Sequence, residues 1–452
     1  MDGTVDETAS TLDHERARLA AFQPQDCSVY PATQHPDVEI LNPEAQSTLL
    51  TPPFPVELYD CRKIRINPQF ADEIESARKK LRAGRIEEII FHDEAILLAS
   101  DVYMEMKLAR IGGRFLPLSA GTKDMTEHYD PNGRHWALRV GVLAEPEIVR
   151  GRSIAFTGVG QASNFYHWVG EQMPRLALLA QYRSLSEFDN IVVFAKDHTT
   201  FIRESVKQLF PQFRGQIRHI LGASVQMDEA VFFAPRSLIG DESTTSATLP
   251  DSPTAQKAWG SLSAIVEHIA ARDAAPIRGS LSQVQGSKAL LISRDGSNGR
   301  CWRDEAELLS RLRPWGVRSI RSEEHALPVQ MAMFRQAKVV IAQHGAGLAN
   351  ILFCQPGTRI IEVTTRNHVL RSWDFAKLAQ VRGLNYHIIV ADARDDDPHI
   401  KQRTADPHVP KAYLSDMEIS YVAALQIELL VADVLGKGRA YRLPGIVPAT
   451  LP

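Results

Sequence analysis

Short apolar runs and segments of helical period take turns along most of this chain. Ser153–Phe156, Asn190–Phe194, Ile217–Leu221 and Ala230–Phe233 read as strands, since a β-branched or aromatic run of that length between turn residues suits a buried strand. Between them, Val169–Tyr182 and Thr199–Leu209 repeat their apolar positions on one helix face, with Pro174 inside the first pattern. Pro250–His268 reads as a further helix. Upstream, Glu88–Phe91 and Ala95–Leu98 read as two strands around a polar turn.

A second series begins at Lys288. Its predicted strands are Ala289–Ser293, Val317–Ile320, Val339–Ala342, Arg359–Val363 and Tyr386–Val390. Its predicted helices are Asp304–Leu312, Pro328–Ala337, a short one ending at Phe353, Ser372–Gln380 and a long final one, Ser415–Leu435. Asp304 and Glu307 have capping-box spacing at the first of these. Strands alternating with helices at this interval predict parallel sheets covered on both faces.

Four segments follow from this pattern: a proline-rich arm over 1–80, a Rossmann-like domain over 81–275, a second over 276–400, and a helix with tail over 401–452. The Ala-, Gly-, Ser- and Gln-rich stretch 271–287 is the linker. The fold class is α/β, two Rossmann-like halves facing a cleft.

The densest signal lies at Lys338–Asn350, where a β-branched strand ends in His344-Gly345-Ala346-Gly347-Leu348 and passes into a helix. Glycines let a ligand approach the backbone, and a helix start offers free N–H groups and a positive dipole end. A phosphate fits there, with His344 able to give it a hydrogen bond or proton. A plain tight βα turn explains the glycines equally well. Ser293-Arg294 closes the first strand of the same half, where a guanidinium fork suits a diphosphate. A solvent-facing arginine is the alternative. Glu362 interrupts an Ile/Val strand and could grip a ribose hydroxyl or form a salt bridge.

In the first half, His167 and Glu171 stand four apart and share a helix face, as a base and its orienting carboxylate would. Asn164, Tyr166 and Trp168 beside them could line a sugar site, or merely cap and pack the helix start. Asp395-Asp396-Asp397 reads as a solvated loop, so no metal site is expected.

Composition narrows the class. A net charge of -3 over 452 residues argues against nucleic acid. No apolar run nears about 18 residues, and the acidic N-terminus lacks a signal-peptide core, so a cytoplasmic protein is expected. Cys27, Cys61, Cys301 and Cys354 have no metal-ligand spacing and read as reduced thiols.

Together these residues resemble the signature of glycosyltransferase family 61. The match lies in the HGAGL block His344–Leu348 with Asn350, Phe353, Pro356-Gly357 and Glu362, in Ser293-Arg294 and Arg303-Asp304-Glu305, and upstream in Asn164–Trp168, Glu171 and Pro174-Arg175-Leu176. The resemblance covers roughly Ser153–Ile388. It implies a GT-B fold and inverting transfer, without metal or cofactor, from a nucleotide-sugar (UDP-linked) to a glycan or lipid-linked glycan hydroxyl, as in capsular or other polysaccharide synthesis. It places donor contacts at Ser293, Arg294, His344, Gly345, Ala346, Gly347, Asn350 and Glu362. Catalysis falls to His167, Glu171 and His344, and the acceptor side to Asn164, Tyr166 and Trp168. Gln343 departs from the Gly or Val-type residue many members carry there. A nucleotide-sugar epimerase of similar fold and a catalytically silent nucleotide-binding scaffold are the alternatives; a homodimer is compatible with the reading, as is a peripheral membrane association where the acceptor is lipid-linked.

Overall fold

The computed structural model describes residues 36–44, 47–50, 53–61, 82–86, 88–92, 94–105, 108–111, 114–117, 146–156, 162–195, 199–221, 224–235, 255–272, 287–294, 300–302, 305–365, 374–393 and 416–436. The first 35 residues, most of the linker, His135, Trp136, His198, Arg303-Asp304 and the Asp395–Asp397 run lie outside them. The described chain is mixed α/β and divides into two compact units.

The first unit holds an eight-stranded sheet. Glu147–Phe156, Asn190–Phe194, Gln216–Ile220 and Ser224–Pro235 run parallel, in the chain order third, second, first, fourth across the sheet. Every residue of Asn190–Phe194 is buried, which is why Ile191–Phe194 is a continuous apolar run rather than an alternating one. The rest of the sheet departs from the all-parallel expectation. Ser224–Pro235 pairs antiparallel with Glu94–Glu105, which continues as a meander through Leu108–Ile111 and Arg114–Pro117. Only two residues of sequence separate each strand of this meander from the next, and only antiparallel neighbours can be joined so briefly.

The second unit's sheet is also eight-stranded. Five of its strands, Ala289–Ile292, Val317–Ile320, Val339–Gln343, Arg359–Thr365 and Asn385–Ala393, are parallel and ordered second, first, third, fourth, fifth. Val56–Asp60, inside the stretch read as an arm, continues this sheet in parallel beside Asn385–Ala393. Helices Glu305–Leu312 and Tyr421–Leu435 supply Leu308, Leu312, Val422, Ile427 and Val431 to a core against the face that carries Leu291, Ile341 and Ile361. Among the described residues, Cys61, Cys301 and Cys354 take part in no disulfide.

Three predicted helices begin differently. Pro250–His268 splits into strand Ala255–Trp259, part of a small three-stranded sheet, and helix Gly260–Arg272, so pairing overrides helix propensity there. The last helix starts at Tyr421, where Ser420 Oγ accepts from the Ala423 N–H at 3.2 Å. Before it, Met417 and Ile419 are buried with Glu418 exposed, the two-residue period of a strand, and Met417–Glu418 pairs with Ala393 and Asp392. The third, Val169–Tyr182, is a π-turn His167–Gln172 that passes into α-helix Met173–Tyr182. Pro174 sits in the first turn of the α segment, where its missing N–H is harmless.

No helix among the described residues is long and apolar enough to cross a membrane.

Candidate functional site

In the second unit, the strand order reverses between Ala289–Ile292 and Val339–Gln343. From the first strand the chain crosses by way of helix Glu305–Leu312 to the sheet edge, and then returns by way of helix Leu327–Gln336 to the other side. Ligands of open α/β sheets bind at such a switch point, outside the carboxyl ends of the strands. Ile292 and Ala342 are in register, so the residues that follow, Ser293-Arg294 and Gln343-His344-Gly345, emerge side by side. Arg294 and the glycine turn are packed closely enough that a Cβ on Gly345 would collide with the Arg294 guanidinium. The predicted neighbourhood of Arg294 with the HGAG turn is therefore present. The helix that follows, Ala346–Phe353, is a 3-10 helix.

Glu362 lies in register with Ala342 on one side and Ile388 on the other. The diagonal positions on its face are His344, two residues beyond Ala342, and Tyr386, two residues before Ile388. Both reach it. His344 Nδ1 stands 2.5 Å from Glu362 Oε1, and the Tyr386 hydroxyl donates to Glu362 Oε2 at 2.7 Å. Phe375 sets its ring edge-on to His344, with centroids 4.9 Å apart. Tyr386 is wholly buried, and burial first, then the Glu362 carboxylate and Asp374, push its pKa well above the usual tyrosine value. It therefore stays a neutral phenol and a donor. Glu362, expected against a ribose, is only 4% exposed and gives each oxygen to a protein partner. Tyr386 was not foreseen, because a tyrosine at the start of an apolar strand reads as core until the register is known.

Other expected donor residues are placed differently. Asn350 is fully buried and donates from Nδ2 to Gln330 Oε1 at 2.8 Å, and Gln330 Nε2 donates to the His325 carbonyl at 2.8 Å. It braces the 3-10 helix against helix Leu327–Gln336. Ser293 is buried, and its N–H continues the edge pairing to the Ile320 carbonyl. Ala346 and Gly347 open the 3-10 helix. Gln343 is 3% exposed, and neither polar atom of its amide has a hydrogen-bond partner among the described residues.

In the first unit, His167 and Glu171 meet as their spacing predicted, with Nδ1 2.9 Å from Oε2. They stand on the π-turn, a distortion that favours functional positions. Asn164 Oδ1 accepts from the Tyr166 N–H at 2.9 Å, a turn-forming role. The Tyr166 ring lies over Gly170, where an added Cβ would come within 2.8 Å of it. Trp168, expected at the acceptor, is wholly buried, packs edge-on to Phe156 and donates from Nε1 to Ser205 Oγ at 2.7 Å. Its place is the core. Beneath the turn, Arg175 Nε and Nη2 reach Glu94 Oε1 at 2.9 and 2.8 Å, a buried ion pair tying the helix to the sheet.

Among the described residues, no cluster of three His, Cys, Asp or Glu is arranged to hold a metal ion.

A switch-point turn with an arginine against it, and a carboxylate-held histidine at the same strand ends, are groups that an anionic ligand would use. Residues 165–361 match the family described as Glycosyltransferase 61, and that stretch spans both His167 and the HGAG turn. The chain thus carries a glycosyltransferase family 61 domain over those residues and is a glycosyltransferase. No curated protein matches it.

Proposed function

We propose that the chain transfers a sugar from a nucleotide-sugar donor, UDP-linked, to a hydroxyl of a glycan, with inversion at the anomeric carbon and without a divalent cation. In this reading the two units are the halves of a GT-B enzyme and the acceptor is a growing cell-surface polysaccharide, free or lipid-linked. The observation that carries it is Arg294 packed against the Gly345 turn at the switch point, within a family 61 match.

The chemistry follows from the groups present. Displacement at the anomeric carbon gives that carbon oxocarbenium character and builds charge on the departing diphosphate. Arg294 and the N–H groups opening the 3-10 helix offset that charge, the electrostatic contribution that usually dominates such catalysis. The His344 imidazole gives the leaving group a hydrogen bond or proton. The acceptor hydroxyl loses its proton to the His167–Glu171 pair. That pair follows the carboxyl end of Glu147–Phe156, the first parallel strand of its own sheet.

The test is a panel of nucleotide-sugars followed by thermal unfolding. A donor at one hundred times its Kd adds about 2.7 kcal/mol of stability, enough to separate binders from non-binders. The donor that binds is then supplied with glycan acceptors, in the presence and absence of EDTA, and the product's anomeric configuration is read by NMR. Binding and transfer with inversion, unaffected by EDTA, are expected. Donor conversion without acceptor would favour an epimerase, and no shift with any nucleotide-sugar would overturn the proposal.

A further inference from the structure

We infer that Glu362 and Tyr386 are positioning residues that set the tautomer and aim of His344. This inference rests on the reading of His344 as the group that meets the leaving diphosphate. A carboxylate only accepts hydrogen bonds, so Glu362 Oε1 at 2.5 Å from Nδ1 requires the proton on Nδ1. The ring then meets the diphosphate through Nε2, which can donate only when it carries a second proton; the imidazolium so formed has its charge offset by the Glu362 carboxylate at Nδ1. Tyr386, locked as a neutral donor at 2.7 Å, holds the other oxygen and stops the carboxylate from rotating away. Glu362 and Tyr386 lie on neighbouring strands, His344 directly follows the end of the next one, and Phe375 limits the tilt of the ring from a helix. The carboxylate is buried at 4% exposure, so it is shielded from solvent and acts on the imidazole at full strength.

This differs from a structural ion pair in its consequences. If Glu362 and Tyr386 act through His344, removing them matters only while His344 is present. Glu362→Gln should lower kcat at least tenfold with KM for the donor little changed, and Tyr386→Phe should lower it less, in the same direction. In a His344→Ala background, either change should cost nothing further in kcat. Nitrogen-15 NMR of histidine-labelled protein, with no substrate present, should show His344 protonated at Nδ1 in the wild type and a loss of that preference in Glu362→Gln.

The outcomes separate. Additive losses in the double variants, or an unaltered tautomer in Glu362→Gln, would overturn the inference even with sugar transfer intact. A wild-type protein with the Nδ1 tautomer but no transfer from any donor would instead overturn the proposed reaction while leaving the positioning in place. Should Glu362→Gln fail to fold, Tyr386→Phe, which removes one hydroxyl, carries the same tests.

Discussion

Gly345→Ala should disarm the donor site without loosening the fold. The added methyl would run into the terminal nitrogen of Arg294. Gly345 has φ of 170°, extended backbone that alanine adopts freely, so no backbone strain opposes the change. What must move is the far end of a flexible side chain, and Arg294 is only half-buried. The guanidinium therefore swings off the turn. Glycine to alanine at a compatible position also removes freedom from the unfolded chain, which adds about 0.4–1 kcal/mol. The urea midpoint should hold or rise slightly. A hydrogen bond to a charged group is worth about 1.5–3 kcal/mol, so losing the Arg294–diphosphate contact should weaken the nucleotide by roughly 10- to 150-fold. Calorimetry with the nucleotide the wild type binds best gives the number, and urea unfolding gives the control. Gly347→Ala is the contrasting variant, because its methyl would stand 3.3 Å from Ile292 Cγ2 in the buried strand. Crowding there costs stability, up to about 1 kcal/mol if Ile292 gives way, and leaves Arg294 in place. Unchanged nucleotide affinity in a folded Gly345→Ala protein would refute the placing of the diphosphate against Arg294.

Two further outcomes are expected. Arg175→Met should destabilise the first unit by about 3–5 kcal/mol in denaturant unfolding, because it strands the Glu94 carboxylate, whose side chain is 1% exposed; Arg175→Met with Glu94→Leu should recover most of that loss, and equal losses in the single and double variants would show that the pair is not coupled. Gln343→Met, which keeps the length and removes an amide with no partner among the described residues, should raise stability by about 1–3 kcal/mol, and a fall would show that the amide has a role in the folded chain.

What could be read from the sequence divides by distance along the chain. The strands of both sheets stand out because full burial makes them continuous apolar runs, as in Ile191–Phe194 and Val339–Ala342. The His167–Glu171 contact is equally legible, since a spacing of four on a helix brings side chains together whatever else the chain does. Trp168 misleads for a related reason. Beside Tyr166 and His167 it looks like part of a sugar-binding wall, but the helix turns it inward to Ser205, a partner 37 residues away that no local pattern announces. The strand Val56–Asp60 is hidden in proline-rich sequence because its partner, Asn385–Ala393, lies over three hundred residues downstream. Glu362 was legible as an anomaly, a carboxylate in an Ile/Val strand, but its partners depend on cross-strand register, which sequence does not disclose.

Comparing the two histidine–carboxylate pairs separates their uses in the proposed reaction. His167 and Glu171 have side chains 25% and 21% exposed, against 12% and 6% for His344 and Glu362. Solvent screens the first pair, so its imidazole is held loosely and can exchange protons with water or with a hydroxyl arriving from it. That suits a base, which must be regenerated after every transfer. The second pair is braced by Tyr386 and closed off from water, so its proton arrangement is fixed before substrate binds. That suits a group whose task is to meet charge as it develops, because a donor already oriented spends nothing on reorganisation at the moment of reaction. Exchanging the two roles would put proton turnover where solvent is excluded and fixed electrostatics where water weakens them. The difference in burial therefore favours His167 with Glu171 on the acceptor and His344 on the leaving group.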